Sequence, residues 1–355
     1  MPDEAVAPSD AGSPVRPSRW HVPWWLQLLL SIALTALSIV LLLPQLPEGE
    51  RSIDALRQLS LPLMLTGLVL EAASLTAYSV MTVLVFRTPD IRFWTLLRID
   101  LTVTGVSHVV PAGGATAAAL RLQLLRRAGL SRSEAISGEA VQVTAANLVL
   151  GCLFLTGLIL LISTGGDAAS YVVVASVVCA ALVAAGTFAW LLLHPSERLG
   201  GWARAITSHL PRLLGRGSAR AIRAATIRVT DLVHHPSRTS GVLTCSAFNW
   251  LLDATVLWVM LAAVGEHLSV GPLLTVYGLG SILAILPLTP GGLGIVEGVM
   301  IPSLVGLGVP SASALIAVLG WRLWKFWMPI PLAGLCYLSL RLGELRRMKA
   351  IARPG

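Results

Sequence analysis

The sequence predicts an all-α polytopic membrane protein of about six spanning helices plus two re-entrant helical hairpins in an inverted repeat. Of its 355 residues, 55% are hydrophobic and 12% are charged, whereas a soluble domain carries roughly 25% charged residues. Several segments exceed the ~18 apolar residues that indicate a spanning helix. Two further apolar segments are interrupted by Pro and Gly, a pattern typical of discontinuous transporter helices.

Six apolar segments are each long enough, at ~1.5 Å per residue, to cross a ~30 Å hydrocarbon core. They are Trp24–Leu43, Leu61–Phe86, Ile136–Ser163, Tyr171–Leu193, Gly241–Ala263 and Ala312–Leu340, and the two broken segments are Leu101–Leu120 and Pro272–Gly308. Together they predict one transmembrane domain over residues 23–342. A disordered tail is expected at residues 1–22, and a basic cytoplasmic tail at 343–355. The first span lacks a cleavage site of small residues, so we expect it to be retained.

The distribution of arginines predicts the orientation of the chain. Arginines are concentrated after the second span, after the first broken segment and over residues 194–239, whereas the turns near Asp167 and Glu266 carry acids. Because positive residues stay on the cytoplasmic side, both termini are expected inside the plasma membrane. The connection after the first broken segment is expected to hold Arg121, Arg126, Arg127 and Arg132. The first hairpin then enters from the cytoplasm and returns to it, and the second does the same from outside.

Residues 194–239 form the one sizeable polar stretch between the spans. Apolar residues recur there at helical spacing between the arginines. This pattern predicts a basic amphipathic helix bound to anionic lipids of the inner leaflet, with an ordinary basic loop as the alternative. These connecting arginines account for the net charge of +8, so nucleic acid is not an expected partner.

Neither a metal nor a cofactor is expected. The four cysteines fall in apolar stretches without a CxxC pair, which favours packing over a disulfide framework or a zinc site. The sequence contains no P-loop, so direct ATP hydrolysis is not expected.

Two glycine-rich tips divide the chain into similar halves, at about 24–163 and about 171–340. The tips are Pro111–Gly114 and Pro290–Gly294, and each lies between two spanning segments. Paired glycines let the backbone turn sharply and let a ligand approach closely. Inverted repeats with such interruptions point to a transporter with its site near the midplane. The alternative is that the glycines serve helix packing.

Six charges lie within apolar segments, namely Glu71, Glu139, Asp253, Glu297, Arg322 and Lys325. Each costs ~2.5–3.5 kcal/mol at a helix centre, so the six must pair, take up protons or line water. Arg322 and Lys325 are three residues apart and share one helix face. They could clamp a phosphate, with tryptophans covering acyl chains or a cationic head; alternatively they only neutralise Glu297 and Asp253. The candidate substrate-binding residues are Glu297, Arg322, Lys325, Asp253, Glu139, Arg121, Gly113, Gly114, Pro290, Gly291 and Gly292.

The segment from Leu286 to Glu297 carries a PGGLGxxE run. With Arg322 in the following helix, this run resembles the transmembrane region of lysylphosphatidylglycerol synthases, a family also described as flippase-like or UPF0104 membrane proteins. The resemblance extends from about Trp24 to Leu340. It implies a region that flips an aminoacylated phospholipid made by a separate C-terminal transferase domain. The chain stops soon after the last span, so we do not expect synthase activity from it.

The leading hypothesis is therefore a flippase-like transporter of a phospholipid or lipid-linked precursor, with no enzymatic activity. The expected partners are a membrane lipid, a separate lipid-modifying enzyme and a second copy of the chain. One alternative is an intramembrane transferase acting on a phospholipid or polyprenyl phosphate, since deep acids and basic phosphate ligands could also serve catalysis. Another is a non-catalytic accessory subunit of envelope assembly.

Overall fold

The computed structural model describes residues 60–86, 91–110, 113–165, 171–193, 235–285 and 289–351. The predicted N-terminal tail, the predicted first span and nearly all of the basic segment 194–239 lie outside these residues. So do the first two residues of the first tip, Pro111 and Ala112.

The described residues form helices and no strands, which confirms the prediction of an all-α polytopic fold. In chain order the helices are α1 (Leu61–Phe86), α2 (Phe93–Val109), α3 (Gly113–Arg127), α4 (Arg132–Ser163), α5 (Val172–Leu193), α6 (Pro236–Ala263), α7 (Val270–Ile285), α8 (Ile295–Gly306), α9 (Ser311–Arg322) and α10 (Pro329–Ile351). A 3-10 turn, Pro290–Gly292, lies between α7 and α8, and a π turn, Leu323–Trp327, joins α9 to α10. Within this part of the chain, α1, α4 and α6 are long and apolar enough to cross a membrane.

The first hairpin has longer arms than the sequence predicted. Its arms are α2 and α3, so Arg98 and Arg121 lie inside helices, and the expectation that Arg121 belongs to a cytoplasmic connection is wrong. Arginine is a good helix former, and a charge does not end a helix when carboxylates neutralise it. The turn between α3 and α4 is short, with Gly129 at a φ of 113°.

Helices α1 and α6 form the antiparallel centre of the bundle. Gly67 lies against Met260 near one end of the pair. At the middle, the Ser74 hydroxyl donates to the Asn249 carbonyl at 2.9 Å, and the Asn249 amide donates to the Ser74 carbonyl at 3.1 Å. Reciprocal bonds of this kind hold polar side chains within an apolar interface without leaving donors or acceptors unpaired.

The first arm of each hairpin packs against a long helix of the other half. Gly157 of α4 faces Leu274 of α7, where a Cβ on the glycine would lie 2.7 Å from the leucine side chain. In the same way Gly105 of α2 lies against α10, and the Arg98 guanidinium donates to the Ser339 hydroxyl at 2.8 Å. Both pairs are antiparallel, and small residues let their backbones approach closely. This exchange of partners supports the predicted repeat.

The two hairpins open at opposite ends of the bundle. Gly138, in the second turn of α4, packs on Phe86 at the end of α1, so α2 starts and α3 ends at this end, which we call the basic end. At the other end the Ser313 hydroxyl, near the start of α9, donates to Glu266, just after α6, at 3.2 Å. The hairpin α7–α8 begins and finishes there. The opposed directions agree with the prediction made from the arginines.

Candidate functional site

The tip of the second hairpin depends on three glycines with left-handed backbone. Gly291, Gly292 and Gly294 have φ values of 56°, 71° and 80°, a region that L side chains rarely adopt. A Cβ on Gly291 would also collide with the ring of Phe326. The PGGLG run is therefore required by the backbone path of the tip, whatever else it contributes.

Arg322 joins this tip to α9. Its Nε lies 2.6 Å from Glu297 Oε1, and its two terminal nitrogens donate to the carbonyl oxygens of Gly291 and Gly292, each at 3.1 Å. The second oxygen of Glu297 accepts a hydrogen bond from the Gly294 amide at 2.7 Å. Arg322 and Glu297 are both buried, so the pair is shielded from solvent and each charge depends on the other.

Lys325 pairs with a different acid, Asp253 of α6. Asp253 also accepts hydrogen bonds from the Tyr277 hydroxyl at 2.7 Å and the Trp321 indole at 2.8 Å. The ammonium lies 5.1–5.4 Å from the ring centres of Trp250, Tyr277 and Trp321, within the range of cation–π attraction. This carboxylate and this aromatic cage together hold one cation.

A second carboxylate lies close to the same lysine. Glu71 of α1 is 3% exposed, and it interacts electrostatically with Lys325. Its Oε2 accepts no hydrogen bond within the described residues. Two acids therefore share one base at this point.

The first half contains a matching buried cluster around Arg121 of α3. Five side chains contact the guanidinium: Asp100 at 2.9 Å, Glu139 at 2.8 Å, the Tyr78 hydroxyl at 2.9 Å, Gln142 at 2.9 Å and Thr82 at 3.2 Å. Thr82 also donates to Asp100 at 2.9 Å and accepts from the Gln142 amide at 2.8 Å. The cluster links four helices, since its members come from α1, α2, α3 and α4. Arg121 is 2% exposed, so this network replaces the water that a free arginine would need.

The two halves use the same ion pair with its charges exchanged. In the first half the second arm of the hairpin carries the base, Arg121, and the following helix carries the acid, Glu139. In the second half the second arm carries the acid, Glu297, and the following helix carries the base, Arg322. Each pair thus ties a hairpin to the helix that follows it.

The inner end of the first hairpin contacts the tip of the second hairpin. The Nδ1 of His108, in the last turn of α2, lies 3.1 Å from the carbonyl oxygen of Phe326. The two rings stack with their centres 4.6 Å apart, and Phe326 in turn lies against Gly291. The last turn of α2 is therefore linked, through Phe326, to the tip of the second hairpin.

Nine of the eleven predicted site residues lie in three groups. Gly291 and Gly292, with Pro290 at the start of the 3-10 turn, belong with Glu297 and Arg322; Lys325 is with Asp253, and Arg121 with Glu139. Gly113 begins α3, and Gly114 has open space where a side chain would be.

Arg322 and Lys325 do not act here as one clamp. Both lie near the Trp321 ring, 5.5 and 5.2 Å from its centre, but they bind different acids. The nitrogens of Arg322 already face Glu297 and the two glycine carbonyls, so a phosphate could reach it only after Glu297 moves away.

The sequence interpretation did not include Asp100, Tyr78 or Tyr277. Asp100 stands two residues after Arg98 and just before the first broken segment, Leu101–Leu120. The available signal was position: Asp100 and Tyr277 are each the eighth residue of the first arm of their hairpin, counting from Phe93 and Val270. Within the described residues no three His, Cys, Asp or Glu side chains are grouped so that they could hold a metal ion.

Comparison with known proteins gives the chain's relatives. The family model described as the lysylphosphatidylglycerol synthase TM region matches residues 24–333. A UPF0104 membrane protein of Methanothermobacter thermautotrophicus is 24% identical over 316 residues, which cover 85% of this chain and 91% of that protein. The inner membrane protein YbhN of Escherichia coli is 28% identical over 105 residues, or 30% of this chain and 32% of that protein.

Proposed function

The chain belongs to the family of the lysylphosphatidylglycerol synthase TM region, and on that premise we propose that it is a flippase-like transporter rather than an enzyme. Its substrate is a phospholipid or a lipid-linked precursor that crosses the plasma membrane through the space between the two hairpins. The basic end faces the cytoplasm, because positive residues stay on that side.

One observation carries this proposal: two hairpins that open at opposite ends are each tied to the following helix by an Arg–Glu pair whose arginine is buried. A buried charge of this kind is stable only while its partner is present. A lipid phosphate that binds the arginine can substitute for the glutamate, because Arg binds carboxylate and phosphate with the same planar fork. Substrate binding would then release one hairpin and bias the protein towards opening at that end.

The path of the head group follows from the neighbouring groups. A phosphate that displaces Glu297 from Arg322 would rest against the glycine tip, where the backbone lies close by. A cationic part of the head group would bind to Asp253 and the aromatic rings beside it once Lys325 moves away from that acid. Aromatic rings and a carboxylate together suit an ammonium group.

The charge balance of the buried clusters supports coupling to protons or a cation. Among the described residues, Glu71, Asp100, Glu139, Asp253 and Glu297 face only Arg121, Arg322 and Lys325. Five acids against three bases leave an excess of two negative charges among these residues. Isolated charges in an apolar interior are strongly disfavoured, so the site must take up protons or a cation during the cycle. The partners proposed from the sequence, inner-leaflet lipids at residues 194–239 and a separate lipid-modifying enzyme, are compatible with this role.

Reconstitution tests the proposal directly. The full chain in vesicles is given fluorescent anionic, cationic and polyprenyl-phosphate lipids, and movement between leaflets is followed by chemical quenching. We expect movement of at least one class, and loss of that movement in Glu297→Gln. Glu266→Gln, the same change at the end of the bundle, is the matched control and should retain activity.

No movement of any lipid by the folded protein would refute the proposal. Equal activity in Glu297→Gln would refute the role of the ion pair. Recovery of covalently altered lipid would instead identify an intramembrane transferase.

A further inference from the structure

We propose that the groove between α3 and α4 is a lateral binding site for an anionic phospholipid from the leaflet at the basic end. The inference rests on the proposed transport of a lipid and names the substrate class. At the turn between the two helices lies a cavity of about 720 Å³, and its lining includes Arg126, Arg127 and Arg132.

An apolar cavity continues from this mouth along the same two helices. It has a volume of about 430 Å³ and shares Ala119 and Leu122 with the first. Ala118 and Ala140 leave space between the helices because their side chains end at Cβ. The cavity reaches Val143, which is 11 residues beyond Arg132 and so about 16 Å deeper at 1.5 Å per residue. That depth is roughly half of a ~30 Å hydrocarbon core.

The chemistry of the two cavities fits an amphiphile with a negative head. The Glu134 amide in the first turn of α4 is already bonded by the helix cap, since the Ser131 hydroxyl accepts from it at 3.2 Å. The guanidinium groups of Arg126 and Arg132 at the mouth can donate to an anion, and guanidinium groups bind phosphate with two parallel hydrogen bonds. A soluble anion would not use the apolar cavity, and a lipid without negative charge would not use the arginines.

The groove ends at the ion-pair cluster of the first hairpin. Glu139 lines the apolar cavity and on its other side contacts Arg121 at 2.8 Å. Its side chain is 25% exposed, whereas that of Arg121 is 2% exposed. A bound lipid would thus touch the acid that holds the first hairpin closed, at the end where this hairpin opens.

Photo-crosslinking tests the assignment. The purified full chain is irradiated with phosphatidylglycerol or phosphatidylcholine that carry the same diazirine-bearing acyl chain, and labelled peptides are mapped. We expect phosphatidylglycerol to label α3 and α4. Arg126→Gln combined with Arg132→Gln should raise its apparent Kd roughly 10- to 30-fold, from the roughly three- to fivefold contributed by each basic residue near a lipid surface. Excess inorganic phosphate should not displace the lipid.

Two variants make the test specific. Arg92→Gln removes one charge at the same end of the bundle, from an exposed residue that does not line the groove, and should leave the apparent Kd unchanged. Ala140→Phe fills the apolar cavity without a change of charge and should abolish labelling of α3 and α4. All four substituted positions are exposed, and a thermal melt of each variant verifies folding.

Any one of three results would overturn the assignment: equal labelling by the two lipids, labelling that maps outside α3 and α4, or an unchanged apparent Kd in the double arginine variant. Translocation in vesicles is measured separately. If binding depends on the arginines but the wild type moves no lipid, the groove stands and the transport proposal fails. If the wild type moves lipid while binding and movement are unchanged in the double variant, the groove fails and transport stands.

Discussion

The pair between Glu297 and Arg322 gives a sharp prediction about stability, because the partners can be removed one at a time or together. Glu297→Gln keeps an oxygen for the Gly294 amide and removes only the charge opposite Arg322. Breaking a buried pair costs ~3–5 kcal/mol. We expect about 3 kcal/mol here, since the guanidinium retains the carbonyls of Gly291 and Gly292.

Removal of the base should cost more than removal of the acid. Arg322→Met leaves Glu297 charged, and it also leaves both glycine carbonyls without their donor. With about 1 kcal/mol for each lost hydrogen bond added to the ~3 kcal/mol for the broken pair, we expect a loss of about 5 kcal/mol.

The double variant should be more stable than the Arg322→Met variant. Glu297→Gln with Arg322→Met leaves no unpaired charge and loses only the two carbonyl bonds, about 2 kcal/mol. Simple addition of the single effects predicts about 8 kcal/mol, so the expected coupling is about 6 kcal/mol. Equilibrium unfolding in mixed micelles measures all four proteins, with Glu266→Gln as a control expected to change stability by less than about 0.5 kcal/mol. A double variant as unstable as the sum of the singles would refute the reasoning.

Three further predictions concern single side chains. Gly291→Ala should lower the unfolding midpoint and abolish lipid movement, because the left-handed backbone costs ~1–2 kcal/mol and the new Cβ meets Phe326; an unchanged melt would contradict this. Gly114→Ala should instead raise stability by ~0.4–1 kcal/mol, since the position is helical and the space is open, and a lower midpoint would show that the glycine is needed. Glu71→Gln should raise the midpoint by about 2–4 °C, because it removes the second of two acids that share Lys325, one whose Oε2 accepts no hydrogen bond within the described residues. Asp253→Asn should lower the midpoint, because it separates Lys325 from its acceptor. The opposite order in thermal melts would mean that Glu71 is the partner of Lys325.

Much of the fold could be predicted from local patterns. The predicted second span, Leu61–Phe86, has the same bounds as α1, because its apolar residues continue without a helix-breaking interruption. The tip at Pro290–Gly292 was also predictable, since consecutive glycines in an apolar segment indicate an interruption of the helix. The opposed hairpins followed from the arginines, because the sign of the connecting loops sets direction.

The partners of the buried charges were only partly accessible from sequence. Spacing suggested that Arg322 and Lys325 act together on one face, whereas the structure has the alternative arrangement, in which they pair with Glu297 and Asp253. The π turn at Leu323–Trp327 lies between the two bases and adds a residue to the helical turn. A π turn has no strong sequence signal. Asp100 was passed over for a related reason: its partner Arg121 lies on the other arm of the hairpin, and such contacts depend on three-dimensional packing rather than on local periodicity.

The exchange of acid and base between the two halves has an energetic consequence for the proposed cycle. In an exact inverted repeat, the conformation open at one end and the conformation open at the other would be related by the two-fold axis. They would then have equal free energies and equal populations. Placing the base on the first hairpin and the acid on the second removes that degeneracy. A difference of only 1.4 kcal/mol already makes one conformation ten times more abundant. The resting protein therefore has a preferred side before any lipid or gradient acts on it.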